Sequence, residues 1–167
     1  MIGGDPEKYV IVAPDEGAKA RLGDYTRDLG VEVVVMDKKR DPITGKIRYS
    51  AKNLKNKIKG KTCIVIDDMI DSAGTLMESA KELKENGATE FISMATLSIF
   101  TGEANKRLNS SLFDKVIVTN AIVQPKQRDA LSSKLEVLDA APLIADYFMG
   151  RLACKHVMTR GERRMTA

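Results

Sequence analysis

The stretch from Cys63 to Leu76 narrows the range of folds open to this chain more than any other part of the sequence. Cys63–Ile66 is apolar and mostly β-branched, which predicts a strand buried on both faces. Asp67 and Asp68 follow directly, and we expect the strand to end there, where charge meets solvent. The small polar loop 71–75 then precedes a helical pattern. These elements predict an anion site, because loop amides and unpaired helical N–H groups converge where the helix dipole is positive.

The two adjacent acids indicate what kind of anion this site would take. Carboxylates accept hydrogen bonds from vicinal sugar hydroxyls and hold Mg²⁺, usually through water, whereas they repel a bare phosphate. Asp67 and Asp68 beside a phosphate loop therefore predict a ribose phosphate as ligand. The competing interpretation is an ordinary strand-to-helix turn with solvated acids.

The order of these residues is similar to a known motif. An apolar strand, Asp-Asp, two further residues and Asp-Ser-Ala-Gly-Thr resemble the phosphoribosyl pyrophosphate motif of the type I phosphoribosyltransferase fold. The resemblance implies that Asp67 and Asp68 hold the ribose hydroxyls, directly or through Mg²⁺. It also implies that the loop cradles the 5-phosphate with Asp71, Ser72, Ala73, Gly74 and Thr75.

A segment near the N-terminus resembles one family with this fold, the ribose-phosphate pyrophosphokinases, which make phosphoribosyl pyrophosphate. Pro14–Lys19 resembles their Pro-Asp-x-Gly-Gly segment, with Ala18 where a second glycine is usual. The resemblance implies that Asp15 lies near the metal-bound anomeric end of the sugar. From the residues alone, Asp15 is also suited to cap the helix that follows.

The basic stretch after the second predicted strand carries the next similarity. Lys38 and Arg40 match a Lys-x-Arg that the family places on a flexible loop over the transferred phosphates. The resemblance implies that both cations stabilise the pyrophosphoryl group during its transfer. Asp41–Gly45 is rich in turn residues, so we expect a flexible basic loop over about 38–52. The alternative is a solvated basic loop without a catalytic role.

One segment departs from the family pattern. Thr96–Gly102 aligns with a Thr-His-Gly-Ile-Phe-Ser-Gly sequence, but Leu97 and Ser98 replace the histidine and the first glycine. Whatever contact that histidine makes in the family is absent here.

The order of patterns along the chain predicts the fold class. Strands alternate with helices over short connections, which favours an α/β fold with a mainly parallel twisted sheet and helices on both faces. We expect one domain over residues 1–167, with a basic tail at about 156–167. Predicted strands are Tyr9–Ala13, Val31–Met36, Phe91–Leu97, Lys115–Asn120 and Leu135–Asp139; predicted helices end near Leu29, Asn86, Leu108 and Leu152. Core positions of the first and last helices are predicted at Ala18, Leu22, Tyr25, Leu29, Leu143, Ile144, Tyr147 and Phe148.

Charge and composition favour some partners over others. Residues 38–61 hold ten basic side chains against one acid, a net of +9, which leaves −5 for the rest of a chain of net charge +4. Such a segment attracts polyanions, and nucleotide phosphates are favoured over nucleic acid because Tyr49 is its only aromatic residue. We expect no membrane span, no disulfide between Cys63 and Cys154, a cytoplasmic location, and no metal bound by the lone His156.

These expectations combine into one predicted function. The resemblance implies a ribose-phosphate pyrophosphokinase domain, corresponding to the C-terminal half of those enzymes, that transfers the pyrophosphoryl group of ATP to ribose 5-phosphate. We expect a homo-oligomer, or a partner that supplies an ATP-binding domain. Two alternatives stay open: a phosphoribosyltransferase that uses phosphoribosyl pyrophosphate, and a non-catalytic regulatory subunit of the same fold.

Overall fold

The computed structural model describes residues 5–40, 47–110, 112–122 and 133–152. Contacts divide the chain into two compact units, residues 1–137 and residues 138–167. A six-stranded sheet has the strand order β2-β1-β5-β6-β7-β8, and β3 and β4 form a separate two-stranded sheet. The strands are β1 (Tyr9–Ala13), β2 (Glu32–Val35), β3 (Asp37–Arg40), β4 (Ile47–Ser50), β5 (Thr62–Ile70), β6 (Glu90–Ser98), β7 (Lys115–Thr119) and β8 (Leu135–Leu138). The helices are α1 (Glu16–Leu29), α2 (Lys55–Ile58), α3 (Gly74–Glu85), α4 (Ala104–Leu108) and α5 (Ala141–Leu152).

The larger sheet is parallel wherever its strand pairing is defined, as predicted. β1 pairs in parallel with β2 and with β5, and β6 pairs in parallel with β5 and with β7. The strand order reverses between β1 and β5, which makes this the switch point of the sheet. Open α/β sheets bind ligands at the carboxyl ends of the strands at such a point.

Alternation along the central strands divides the core between the two faces of the sheet. Val10 and Val12 of β1 belong to one buried cluster, whereas Ile11 belongs to the other. Helix α1 packs on the Ile11 side through Ala18 and other residues, and α3 packs on the opposite side through Leu76, Ala80 and Leu83. The prediction of helices on both faces is therefore confirmed.

The basic segment differs in part from the predicted irregular loop. Residues 37–40 and 47–50 form an antiparallel pair, β3 and β4, while 41–46 lie outside the described residues. Tyr49 and Ala51 are buried in the larger core cluster, and this anchors the β4 end of the segment. The turn residues between the strands fit a hairpin as well as a loop, which is why the sequence alone did not separate the two. The flexibility of this segment stays a prediction.

The predicted core face of the last helix is not buried. In α5, Leu143 is 75% exposed and Tyr147 is 52% exposed, and Ile144 and Phe148 are exposed as well. Leu29, at the end of α1, is also exposed, whereas Ala18 and Leu22 are buried as predicted. Apolar spacing marks a face that is suited to burial, but it does not identify what covers that face. Tyr25's side chain and residues 153–167, which include Cys154, His156 and the basic tail, lie outside the described residues.

Within the described residues, no helix combines the length and apolar character that a membrane crossing requires.

Candidate functional site

The candidate site begins on the last part of β5, beyond the point where β1 stops pairing with it. β5 pairs with β1 only from Thr62 to Val65, but it pairs with β6 as far as Ile70. Asp67 and Asp68 therefore lie inside the strand, and the expectation that the strand ends at them is wrong. The reason is that β6 is as long as β5 and continues the hydrogen-bonded ladder past the acids.

The two acids differ in their surroundings. Asp67 is half-buried, and its Oδ1 accepts a hydrogen bond of 2.9 Å from the backbone N–H of Asp68. This bond folds the Asp67 side chain over the following peptide, so its carboxylate lies beside the backbone of Asp68. Asp68 itself is exposed to solvent.

The predicted loop lines a single cavity together with Asp67. The cavity has a volume of about 230 Å³ and is lined by Asp67, Met69, Ile70, Asp71, Ser72, Ala73, Gly74, Thr75 and Leu76. The loop residues and the first acid therefore line one cavity, whereas Asp68 lies outside this lining.

The N-terminus of α3, which ends the loop, has no capping side chain. Its N-cap is Ala73, in the left-handed region with φ +58°, and among the described residues no side-chain capping hydrogen bond is formed there. Helix α1 provides the contrast, since Asp15 Oδ1 accepts a 2.9 Å hydrogen bond from Ala18 N–H. The first N–H groups of a helix need an acceptor from a side chain, water or a ligand. The α3 terminus is therefore suited to an anion, and the α1 terminus uses a carboxylate of its own.

A second segment of the chain holds the loop from the side of β6. The N–H groups of Ile99 and Phe100 donate to the Ile70 carbonyl at 3.0 and 3.1 Å. Thr101 donates to Asp71 twice, from its N–H to the carbonyl at 3.2 Å and from its hydroxyl to Oδ1 at 2.5 Å. Farther along, Arg107 Nη1 in α4 donates to the Ser72 carbonyl at 2.7 Å. Sequence reasoning assigned no role to Arg107, and the only signal for Thr101 was that it stands where the family has a serine.

The other predicted site residues lie at the N-terminus of α1 and on β3. Asp15 caps α1, as one of its two interpretations required, and it lines a cavity of about 330 Å³ with Glu16, Val35, Met36 and Asp37. Lys38 and Arg40 lie in β3, but the structure describes only their backbone. Asp37, at the start of β3, accepts a 2.7 Å hydrogen bond from the Asn53 side-chain amide.

Tyr49 is an unpredicted link between these two regions. Burial raises the pKa of its phenol, and the negative charges of Asp15, Asp67 and Glu78 raise it further, in that order of importance. The Tyr49 hydroxyl therefore stays protonated in the field of Asp15 at the start of α1 and Asp67 on β5. Before the fold is known, nothing marks Tyr49 apart from being the one aromatic residue of a basic segment.

The acids have the chemistry that a magnesium ion requires. Mg²⁺ takes oxygen ligands, keeps several waters and is usually bound by one or two carboxylates plus substrate phosphates. The partly exposed Asp67 and the exposed Asp68 fit that pattern. In the part of the chain that the structure describes, no three acidic, histidine or cysteine side chains gather into a ready-made metal cage.

The sheet order, the long β5 and the loop that leads into α3 define a type I phosphoribosyltransferase fold, as predicted. A family profile described as a phosphoribosyl synthetase-associated domain matches residues 39–160, so the chain belongs to this family.

Known proteins support this assignment over most of the chain. This chain is 38% identical to the ribose-phosphate pyrophosphokinase of Wolinella succinogenes over 138 residues, which cover 82% of this chain and 42% of that protein. It is 36% identical to ribose-phosphate pyrophosphokinase 1 of Streptococcus pneumoniae over 147 residues, 87% of this chain and 44% of that protein. The crystal structure of phosphoribosylpyrophosphate synthetase from Mycobacterium smegmatis aligns with this chain at a TM-score of 0.71 and 32% sequence identity. The alignment covers 89% of this chain and 46% of the chain in the crystal structure. The chain thus spans less than half the length of the curated relatives it matches.

Proposed function

We propose that this chain is the ribose 5-phosphate-binding domain of a ribose-phosphate pyrophosphokinase. The observation that carries the proposal is the uncapped N-terminus of α3, which opens into a cavity that Asp67 also lines. Free amides at a helix N-terminus attract a phosphate, and a neighbouring carboxylate accepts hydrogen bonds from sugar hydroxyls. A sugar carrying a terminal phosphate satisfies both groups at once.

Each predicted residue has a role in this proposal. The loop residues Asp71, Ser72, Ala73, Gly74 and Thr75 hold the 5-phosphate, and Asp67 and Asp68 hold the ribose diol, directly or through Mg²⁺. Bound magnesium would neutralise charge on the pyrophosphoryl group. Asp15 lies toward the anomeric end of the sugar, and Lys38 and Arg40 stabilise the pyrophosphoryl group as it moves from ATP to the sugar.

Turnover in this proposal needs an ATP-binding domain in addition to the described site. The relatives are more than twice as long as the aligned segment, which supports a requirement for further chain or for another subunit. The 167-residue chain by itself would then bind ribose 5-phosphate and turn over poorly. Full activity of the isolated monomeric chain with ATP would contradict this part of the proposal.

Isothermal titration calorimetry tests the binding step. Ribose 5-phosphate, ribose, inorganic phosphate, ATP and phosphoribosyl pyrophosphate are each titrated with Mg²⁺ present. We expect ribose 5-phosphate to bind more tightly than ribose or phosphate alone, because only the phosphorylated sugar uses the loop and the acids together. Equal affinity for ribose 5-phosphate and inorganic phosphate would exclude a role for the diol.

A matched pair of variants then locates the site. Asp68→Asn removes one exposed negative charge at the acids, and Glu85→Gln removes one exposed negative charge at the far end of α3. Asp68→Asn should weaken binding of ribose 5-phosphate by about tenfold, and Glu85→Gln should leave it unchanged. Equal effects of the two substitutions would show that net charge, and not this site, governs binding.

A further inference from the structure

The inference concerns Arg107, a residue of α4 with no role in the proposed chemistry. Its Nη1 donates a 2.7 Å hydrogen bond to the backbone carbonyl of Ser72, in the middle of the loop 71–75. The same nitrogen would lie 3.6 Å from a Cβ added at Gly74, so the guanidinium is in contact range of the start of α3. Arg107 is half-buried, whereas the preceding residue, Lys106, is exposed.

The hydrogen bond to Ser72 fixes the orientation of one peptide unit. The carbonyl of Ser72 and the N–H of Ala73 belong to the same planar trans peptide and point in opposite directions. While Arg107 holds the carbonyl, the Ala73 N–H is turned away from the guanidinium. A carbonyl oxygen facing a phosphate would repel it, whereas an N–H group attracts it.

The conformation of Ala73 indicates that this orientation is imposed by its surroundings. Ala73 and Phe100 are the two non-glycine residues with positive φ in the described parts of the chain, at +58° and +52°. Alanine disfavours this region, and such a conformation persists only when neighbouring contacts hold it. Rotating the Ser72–Ala73 peptide by half a turn would return Ala73 to a negative φ and would point the Ser72 carbonyl in the opposite direction. The contact from Arg107 opposes that rotation.

We propose that Arg107 is a positioning residue for the anion site, because it holds the Ser72–Ala73 peptide with its N–H, and not its carbonyl, available to the phosphate. The role that this gives the Ala73 N–H rests on the proposed function. The restraint on the peptide does not, since it follows from the hydrogen bond and the strained φ alone. Ile99–Thr101 fixes the start of the loop by backbone contacts, and Arg107 fixes its middle.

Titration of ribose 5-phosphate with Mg²⁺ against the 167-residue chain tests the positioning role. Arg107→Met keeps most of the side-chain stem and removes the donor, and Lys106→Met is the matched control on the same helix. We expect Arg107→Met to weaken binding by about tenfold or more and Lys106→Met to change it less than about twofold. Equal binding by Arg107→Met and the wild type would overturn the proposal.

A second substitution separates positioning from a simple loss of charge. Ala73→Gly removes the penalty for positive φ, so the native peptide orientation no longer depends as strongly on Arg107. The double variant Ala73→Gly/Arg107→Met should therefore recover part of the affinity that Arg107→Met loses. If the two effects simply add, Arg107 acts through its charge and the positioning role is excluded.

Amide hydrogen exchange without ligand keeps this test independent of the proposed function. Arg107→Met should speed exchange at residues 72–75 relative to Lys106→Met, with unchanged exchange in β1 as evidence that both variants are folded. Unchanged exchange at 72–75 would overturn the proposal whatever the chain binds. If the wild type does not bind ribose 5-phosphate, the proposed function fails, and the exchange result still decides the role of Arg107.

Discussion

Thr101 and Asp71 are joined by two hydrogen bonds across 30 positions of sequence. The Thr101 hydroxyl donates to Asp71 Oδ1 at 2.5 Å, and the Thr101 N–H donates to the Asp71 carbonyl at 3.2 Å. The side-chain bond keeps one oxygen of Asp71 occupied at the first position of the loop 71–75. Part of the negative charge that would oppose a phosphate there is thereby compensated by a donor.

Thr101→Val should weaken binding of ribose 5-phosphate by about threefold to tenfold, because the Asp71 carboxylate loses a donor and is free to turn into the loop. The free energy of unfolding should change by less than about 1 kcal/mol, since the bond is exposed. Calorimetric titration and urea unfolding measure the two quantities. Thr101→Ser keeps the hydroxyl and serves as the control; if it binds as weakly as Thr101→Val, the hydrogen bond is not the cause.

Ala73→Gly should raise the free energy of unfolding by about 0.5–1 kcal/mol. The left-handed conformation costs alanine about 1–2 kcal/mol, and part of that gain is offset by the greater freedom of glycine in the unfolded chain. Ala80→Gly, in the middle of α3, is the matched control and should lower stability by about 1 kcal/mol or more. Urea unfolding of both variants checks the signs, and a loss of stability in Ala73→Gly would mean that the strain at this φ is smaller than the stability lost with the buried Ala73 methyl group.

Lys84→Met should lower the free energy of unfolding by about 1–3 kcal/mol. Lys84 Nζ donates to Asp114 Oδ2 at 2.7 Å and to the Thr89 carbonyl at 3.0 Å, and the same Asp114 oxygen accepts from Phe91 N–H at 2.7 Å. The Lys84 side chain is 22% exposed, and removing its ammonium takes this donor away from the Asp114 carboxylate and the Thr89 carbonyl.

Lys81→Met, three residues earlier in α3, provides the comparison for Lys84→Met. Lys81 and Glu85 form a 3.8 Å pair in which both side chains are more than half exposed, so its loss should change stability by less than about 0.5 kcal/mol. Urea unfolding of the two variants side by side measures the difference. Similar losses would show that burial does not distinguish the two lysines.

The raised pKa of the Cys63 thiol predicts a loss of stability at alkaline pH. Burial raises the pKa of this thiol from 9.0 to about 12, an effect that the charges of Lys84 and Lys61 partly oppose. Between these two values the unfolded thiol loses its proton while the folded thiol keeps it, so the unfolded state gains stability as pH rises. The contribution of Cys63 should therefore be complete below pH 9 and fall by about 1.4 kcal/mol per pH unit above it.

The control for this prediction is Cys63→Ala, whose cavity cost does not depend on pH. Urea unfolding of both proteins from about pH 8 to about pH 11 gives the difference in slope, which removes the contributions of lysines and tyrosines common to both. Parallel curves would show that the thiol does not titrate differently in the two states.

The sequence predicted those parts of the fold that depend on local patterns. The strand at Tyr9–Ala13 and the helix that Asp15 caps were identified with their observed ends, because an apolar run, a capping carboxylate and Gly30 act on their immediate neighbours. The loop 71–75 and Asp67, which the sequence pattern predicted to lie in one site, line one cavity, and their role in binding stays a prediction.

Sequence patterns did not predict the contacts between distant segments. The extension of β5 past Asp68 depends on how far β6 continues beside it, and the sequence of β5 alone does not indicate the length of β6. Arg107 and Tyr49 gain their positions from the packing of α4 and β4, so neither has a local signature. In α5, the spacing of Leu143 and Tyr147 correctly indicated an amphipathic helix but not the exposure of its apolar face.

Because the last part of β5 pairs with only one neighbouring strand, substitutions in β6 and in β1 should differ in their effect on ligand affinity. Between Val65 and Ile70 the strand is bonded along β6, while pairing with β1 stops at Val65. Asp67, Asp68 and the loop 71–75 therefore take their rigidity from β6 and the segment after it. Substitutions that loosen β6 should degrade ligand affinity before they unfold the protein, whereas β1 can accumulate changes that lower stability and leave affinity intact.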